Sequence, residues 1–418
     1  MTEILITGLT AGVQNRAAHE QMKPEALYYA TDITTDVFGS VVCRNHHEVN
    51  SYFNTQVFTD PVKDIYQVDV EGTNKRLLYY RVANVLYCFN SYTGATRTVN
   101  SAMTGSHVSY AAFKPAASTY TYIYITDGIT MLADNGSASI TWGISAPEGV
   151  PFIRYTTGGN LTAGSYRYRY SFYDATTGSE SNASIACAAL TATANQATEI
   201  SNIQASINSR VTSRRIYRTL VNGGSYYLVA TIPDNVLTEF TDTQADSALA
   251  TLLTEDQGVP PTGKIVRTYK NYLMLAGLSN YPNRVHFCIA NLPDNFPETY
   301  YIEAGSSDDV VLNMIEWGGR MYFIQTASIS GLDGTNADTF DVAGTRSDTG
   351  TAASQSPAAA SDGIYFLGFD GVYRFDGAKS VKISEAIERA FGRTPSGLYE
   401  IVEYPQVESS TRAVVYQG

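Results

Sequence analysis

Short apolar and aromatic runs alternate with turn residues along most of this chain. The clearest stretch is Gly363 to Ile383. There the run Ile-Tyr-Phe-Leu leads to Asp370-Gly371, Val-Tyr-Arg-Phe leads to Asp376-Gly377, and a third run ends in Val381-Lys-Ile. Asp-Gly between β-formers favours a hairpin, because a tight turn needs positive φ, which Gly and Asp tolerate. The pattern predicts three antiparallel strands in succession.

The same order of strand, turn, strand, turn and strand recurs. It is found at Tyr122–Trp142, with turns at Asp127-Gly128 and Asp134-Asn135-Gly136, and at Leu78–Val99, with turns at Ala83-Asn84 and Asn90–Gly94. A looser copy runs from Met321 through Ile329 to Asp333-Gly334. A weaker one spans Asn271–Ile289, with apolar runs at Tyr272–Ala276 and Arg284–Ile289. Tyr365 follows Tyr322, and Tyr122 follows Tyr79, by 43 residues in each case. That spacing suits a four-stranded propeller blade of about 40–50 residues.

Between Pro147 and Pro260 the pattern changes. Ala163–Tyr173 alternates aromatic and polar residues at period two, the mark of a strand with differently solvated faces. Further strands are predicted at Ser184–Thr191, Ser213–Thr219 and Ser225–Ile232, with Asn222-Gly223-Gly224 as a hairpin turn and Phe240–Asp242 as a short edge. Such density of strands and turns points to an immunoglobulin-like or fibronectin-like sandwich. Asp246–Leu253 and Ser384–Phe391 read as short helices, and Ile265–Leu275 as a strand. The expected fold is all-β: a propeller of about six degenerate blades with an inserted sandwich. Its expected domains are 1–146 (N-terminal blades), 147–260 (sandwich) and 261–418 (C-terminal blades).

Composition agrees with β structure: 31 Tyr and 33 Gly, with 16% charged residues. No apolar run is long enough for a membrane helix, and the N-terminus lacks the basic and apolar regions of a secretory signal. Cys43, Cys88, Cys187 and Cys288 lie singly in or beside strand-like runs, as small buried residues do. The net charge of −12 opposes a phosphate-gripping surface. The densest basic cluster is Arg210, Arg214, Arg215 and Arg218.

Candidate chemistry is sparse. Gly258–Lys264 fits G-x-x-x-x-G-K, but Ile265 replaces the Ser or Thr that would hold magnesium. Pro260 and Pro261 lack N–H groups, and a strand follows where phosphate binding needs a helix. The adjacent His46 and His47 would point to opposite faces of a strand, and nothing around them completes a zinc pattern. Asp308-Asp309 and Asp333–Asp338 fall where turns are expected. Asn135, Asn160 and Asn182 open glycosylation-type triplets. No motif assigns a catalytic, cofactor-binding or metal-binding residue, so a non-enzymatic protein is expected.

The order of features resembles a family. It opens with Gly8-Leu-Thr, Asn15, Pro24–Leu27 and Ala30–Asp36. Arg215–Thr219, Gly223-Gly224, Tyr227–Ile232 and Phe240–Asp242 follow. Then come Asn271–Ala276, Pro282–Phe287, Pro293–Pro297, Asp308–Val311, Trp317–Ile324 and Gly363–Gly377. Together these are similar to the β-propeller tail hub or nozzle proteins of short-tailed bacteriophages, related to the proteins that seal packaged DNA. The resemblance implies a virion protein without a cofactor, whose copies form a ring, six in number, below the portal and adaptor. Its implied partners are further copies of itself, portal or adaptor and tail fibre proteins, and double-stranded DNA sliding through an acidic channel that repels phosphate; membrane insertion is not implied. The competing readings are a tail propeller that binds or cleaves host-surface glycans and a cellular propeller acting as an interaction platform.

Overall fold

The computed structural model describes residues 33–34, 42–43, 60–70 and 75–385. Among them nearly all the regular elements are β-strands, and Asp246–Ala248 forms a 3-10 turn. The chain is all-β and builds many small antiparallel sheets. It divides into two compact units. One takes residues 60–302 with Thr335–Thr339; the other takes Glu303–Gly334 and residues 340–385.

Five sheets among the described residues are four-stranded meanders in which chain neighbours are sheet neighbours. Sheet I comprises Val62–Val70, Lys75–Val82, Val85–Asn90 and Ala95–Asn100. Sheet II comprises Ser109–Phe113, Tyr122–Thr126, Met131–Asp134 and Ser139–Thr141. Sheet III comprises Ile265–Tyr269, Tyr272–Ala276, Arg284–Phe287 and Tyr301–Glu303. Sheet IV comprises Val311–Trp317, Arg320–Gln325, Ile329–Asp333 and Asp341–Ser347. Sheet V comprises Ala358–Ala360, Gly363–Gly368, Gly371–Phe375 and Ser380–Lys382. The apolar runs of the sequence become the second strands. Tyr122–Thr126 and Tyr272–Ala276 are buried at every position, because both faces of an inner strand are covered. Fourth strands such as Ser139–Thr141 and Ser380–Lys382 are polar and largely accessible.

Within the first unit, sheets I and II close over a common core that includes Leu77, Tyr79, Met103, Ile123, Ile125 and Leu132. The first strand of sheet II lies against the first strands of both sheet I and sheet III. Ser109 Oγ accepts from Val266 N at 3.1 Å, Thr268 Oγ1 donates to Ala112 O at 2.7 Å, and Thr126 Oγ1 donates to Gly263 O at 2.6 Å. Sheets II and III are therefore spatial neighbours although residues 147–260 separate them in sequence. Within the second unit, the first strands of sheets IV and V meet in the same way. Their core contains Tyr322, Ile324, Ile329, Ile364, Phe366 and Phe375. Gly377, at φ +94°, lets the Trp317 ring approach; a Cβ there would stand 3.1 Å from it.

The intervening segment forms a three-stranded sheet (Phe152–Thr157, Gln196–Ser201, Phe240–Asp242) and a four-stranded sheet. The latter runs in the order Ser179–Glu180, Tyr168–Asp174, Ser213–Thr219, Tyr226–Ile232. Gly164–Tyr166 pairs separately with Leu190–Ala192. The period-two aromatics Tyr166, Tyr168, Tyr170 and Phe172 all enter one core with Ile200, Ile203, Ile216 and Ile232. Each buried phenol finds a partner, as burial demands. Tyr168 donates to Asp242 Oδ2 at 2.8 Å, Tyr166 donates to Thr162 O at 3.1 Å, and Tyr170 accepts from Gln204 N at 3.2 Å.

Four local expectations are corrected. First, Ser184–Thr191 is not a strand; only Leu190–Ala192 is. The run before it pairs with Tyr168–Asp174 at period three. Ser181 N, Ser184 N and Cys187 N donate to the carbonyls of Phe172, Tyr170 and Tyr168. In return, Ser181 Oγ, Ser184 Oγ and Cys187 Sγ accept from the N–H groups of those residues at 3.0, 3.1 and 3.1 Å. Side chains thus replace backbone carbonyls as acceptors, which a period-two reading cannot detect.

Second, Asp246–Leu253 is helical only over Asp246–Ala248. The Asp246 carboxylate accepts from Val221 N and Arg218, and residues 251–253 are drawn out as partners of Tyr226–Ile232, with Leu228 N donating to Thr251 O and Leu253 N to Tyr226 O. Third, Ile265–Leu275 is two strands turned at Lys270-Asn271, where Lys270 takes φ +51°. Fourth, the sheet V hairpin turns at Phe369-Asp370, one residue before the expected pair, since Gly368 pairs with Gly371. The expected helix at Ser384–Phe391 lies outside the described residues beyond Glu385.

Replacing Cys187 with Val strands the Tyr168 N–H without an acceptor in the core. The variant should lose about 1–3 kcal/mol of stability, whereas Cys187→Ser, which keeps an acceptor, should lose less. Urea denaturation checks this; equal midpoints for the two variants would contradict a role for the sulfur as acceptor.

Candidate functional site

Carboxylates at the blade-like turns are engaged in shaping those turns or in ion pairs. Asp127 Oδ1 accepts from Ile129 N and Thr130 N at 2.9 and 2.6 Å, and its Oδ2 accepts from Gly105 N at 2.8 Å. Asp376 Oδ1 accepts from Ala378 N and Lys379 N, both at 3.0 Å. Asp134 is buried and accepts from Tyr79, Gly136, Arg97 and Ser139. Asp309 closes the turn before Ile329 by accepting from Ala327 N and Ser328 Oγ. Asp333 pairs with Arg320 and Arg346. The bonds from backbone N–H groups to Asp127, Asp134, Asp309 and Asp376 are those that make Asp a turn former, whereas Asp333 is held by ion pairs.

Asp64 is placed differently. It lies at an irregularity of the first strand of sheet I with φ +51°. Its buried carboxylate meets Arg81 at 2.7 Å and His107 Nδ1 at 3.4 Å, and its carbonyl accepts from Tyr110. Arg81 also donates to the carbonyls of Met103, Gly105 and Ser106. The trio pins sheet I to the chain entering sheet II.

The most strongly charged buried group is the arginine cluster between 210 and 218. Ser213–Thr219 is a strand, and each of the four guanidinium groups is ion-paired. Arg214 meets Asp234 at 2.9 Å and Arg215 meets Glu180 at 2.6 Å. Arg218 meets Asp242 and Asp246, both at 2.9 Å. Burial lowers the Arg214 pKa, with Asp234 only partly offsetting it. All four charges are neutralised from within, so this cluster offers DNA or RNA phosphates little free positive charge.

Arg210 occupies the centre of a buried junction. Its Nη1 and Nη2 grip Asp294 Oδ1 and Oδ2 at 2.6 and 2.7 Å, and its Nε donates to Asp174 Oδ2 at 3.1 Å. The two remaining N–H bonds go to Thr141 O and Thr177 Oγ1, both at 3.0 Å. Every donor of the fork is used, in the bidentate geometry that makes Arg–carboxylate pairs strong. Asp294 in turn accepts from Gly143 N at 2.9 Å and Ser179 Oγ at 2.6 Å. Burial works against the Arg210 charge, yet Asp294 and Asp174 outweigh it and raise its pKa. Burial likewise penalises the Asp294 carboxylate, but Arg210 and the hydrogen bonds hold its pKa below the usual range.

The remaining candidates are structural as well. Gly258–Lys264 is irregular chain leading into the first strand of sheet III. The His286 ring packs against that of Tyr301 at 5.5 Å in a tilted arrangement, and burial, then Arg284, lower its pKa. His19, His46 and His47 lie outside the described residues. Cys88, Cys187 and Cys288 are buried thiols. Asn135 Oδ1 caps its own turn, Asn160 Nδ2 donates to Thr243 O, and Asn182 Oδ1 accepts from Gln257 N. Among the described residues no group of three or more His, Cys, Asp and Glu is arranged to hold a metal.

No protein-family model matches the chain, and no curated protein matches it in sequence. Solved structures to which it is similar, all at low scores, include the following three. A chain of the complex of BBS1N with ARL6DN is 8% identical, with 78% of this chain and 92% of that one covered and a TM-score of 0.18. A chain of the mitotic checkpoint complex is 10% identical, with 72% and 86% covered and a TM-score of 0.18. The extracellular domain of the putative one component system BT4673 from B. thetaiotaomicron is 8% identical, with 74% and 53% covered and a TM-score of 0.21. At these scores none supports an argument about this chain.

The junction carries a pH dependence of definite sign. Asp294 ionises more readily in the folded chain than in the unfolded one. Its pairing therefore contributes stability above the unfolded carboxylate value of about 3.9, and the contribution is lost as pH falls through the lower folded value. Asp294→Asn should destabilise the protein at neutral pH, and the gap from the unmutated chain should narrow as pH drops from about 5 to about 2. Denaturation midpoints over that series test this; a constant gap would show that the charge is not what matters.

Proposed function

We propose that the meanders are propeller blades, that residues 147–260 are a fibronectin-like sandwich inserted between two of them, and that the protein is a structural part of a bacteriophage tail. In this reading, copies form a hub or nozzle ring around the DNA exit channel below the portal and adaptor. The ring retains and then conducts the genome.

The observation that carries the blade reading is the meeting of successive meanders along their first strands: I with II and II with III in one unit, and IV with V in the other. In a propeller the first strand of each blade lines the axis, so neighbouring blades approach there. The insert leaves after sheet II and returns at sheet III, its spatial neighbour, which is how a module is added to a propeller without opening it.

The tail assignment rests on the family resemblance of the sequence. It is supported by the arrangement of charge, because the carboxylates and guanidinium groups described above are spent on turns and internal pairs. A non-enzymatic scaffold uses them in this way. An acidic balance of −12 also suits a conduit that DNA must pass without adhering.

The purified full-length chain, alone and mixed with portal, adaptor and fibre proteins from the same genome, tests the reading by light scattering and negative-stain electron microscopy. Closed rings with a central opening are the expected result, six copies to a ring on the resemblance. A chain that stays monomeric in every mixture, or that binds or cleaves host-surface glycans instead, would overturn it.

A further inference from the structure

The loop Pro293–Pro297, between the third and fourth strands of sheet III, reaches three other parts of the same unit. It bonds the end of sheet II, where Trp142 Nε1 donates to Pro293 O at 2.7 Å and Gly143 N donates to Asp294. It bonds the insert through Arg210 and Ser179, and through Asn295 Nδ2, which donates to Glu180 O at 2.5 Å. It also bonds the returning linker, where Asn295 Nδ2 donates to Gln257 O at 3.2 Å and Phe296 N to Gly258 O at 2.7 Å. Trp142 and Phe296 meet edge to face at 6.1 Å across the same point.

We infer that this loop is a latch. It holds the insert as a rigid extension of sheets II and III, and the Arg210–Asp294 pair is its release point. The two sides are built to exist separately. The insert core of tyrosines and isoleucines closes without any residue of sheets II or III other than Ile144 at the linker. Sheets I and II close over their own core. What joins them is polar: the buried Arg210 guanidinium bonded to Asp294 and to Thr141 O, Ser179 donating to Asp294, and Asn295 donating to Glu180 O. Such contacts are directional and all-or-none, because removing one partner leaves a buried charge uncompensated. An apolar interface would instead loosen by degrees. The insert and its neighbouring sheets therefore have two states, docked and undocked, with no stable halfway arrangement.

Hydrogen exchange on the full-length chain tests the latch through amides that report each side. Gly143 N donates directly to Asp294, and Phe296 N lies on the same loop. The amides of Phe172 and Ile216 report the insert core, and that of Ile125 reports sheet II. In Asp294→Asn, the Gly143 and Phe296 amides should exchange at least about tenfold faster while the three core amides keep their protection, the signature of a sub-global opening. Asn295→Ala, which touches only the Glu180 and Gln257 carbonyls, should move the junction amides in the same direction by less. Two results would overturn the inference. One is unchanged junction exchange in both variants. The other is equal loss of protection at the junction and in the insert core, which would make the pair part of the insert's own fold.

Discussion

Taking the Arg210 guanidinium out of water is the constraint around which the first unit is organised. A buried cation is tolerated only when it is paired and all its donors are used. Meeting that demand needs Asp174 at the end of one strand of the insert, Thr177 in the next turn, a carbonyl at the close of sheet II and Asp294 from a loop of sheet III. Segments far apart in sequence must converge before any of them is satisfied. The placement of the insert follows from electrostatics as much as from apolar burial.

The insert uses the same device throughout. Arg214, Arg215 and Arg218 lie along a single strand and point to different carboxylates, so Arg214 fixes the turn at Asp234 while Arg215 and Arg218 fix the strands that carry Glu180 and Asp242. Arg218 holds both Asp242 and Asp246, and with them the last strand and the 3-10 turn beyond it. A cluster that looks basic in sequence is electrically quiet in the fold. The tyrosines complement it: apolar bodies fill the core while their hydroxyl groups bond Asp242, Glu180 and nearby backbone.

Much of the strand order was legible from the sequence. Ser213–Thr219, Phe240–Asp242 and Tyr272–Ala276 fall where apolar periodicity and turn residues place them, and Ala83-Asn84 is the turn between its strands. These are local signals, and local physics decides them. Two kinds of feature escaped. One is competition from side chains, as where Asp246 captures neighbouring donors and the helical turn stops at Ala248, leaving Leu249–Leu253 to extend instead of coil. The other is long-range pairing. Arg210 and Pro293–Pro297 were each conspicuous, the first as part of a charge cluster and the second as a proline-bounded motif, but nothing local links partners 84 residues apart.

The period-three ladder of Ser181, Ser184 and Cys187 has a bearing on solubility. The flank of Tyr168–Asp174 beyond Ser179–Glu180 would otherwise present unpaired backbone groups, the template on which foreign strands add and aggregates grow. Here both the donors and the acceptors along it are consumed by a segment whose spacing no β-strand can copy. A second chain arriving with ordinary strand geometry would find no complementary row to read. In the proposed ring, where copies crowd together, this flank is thereby guarded against joining them in the wrong way.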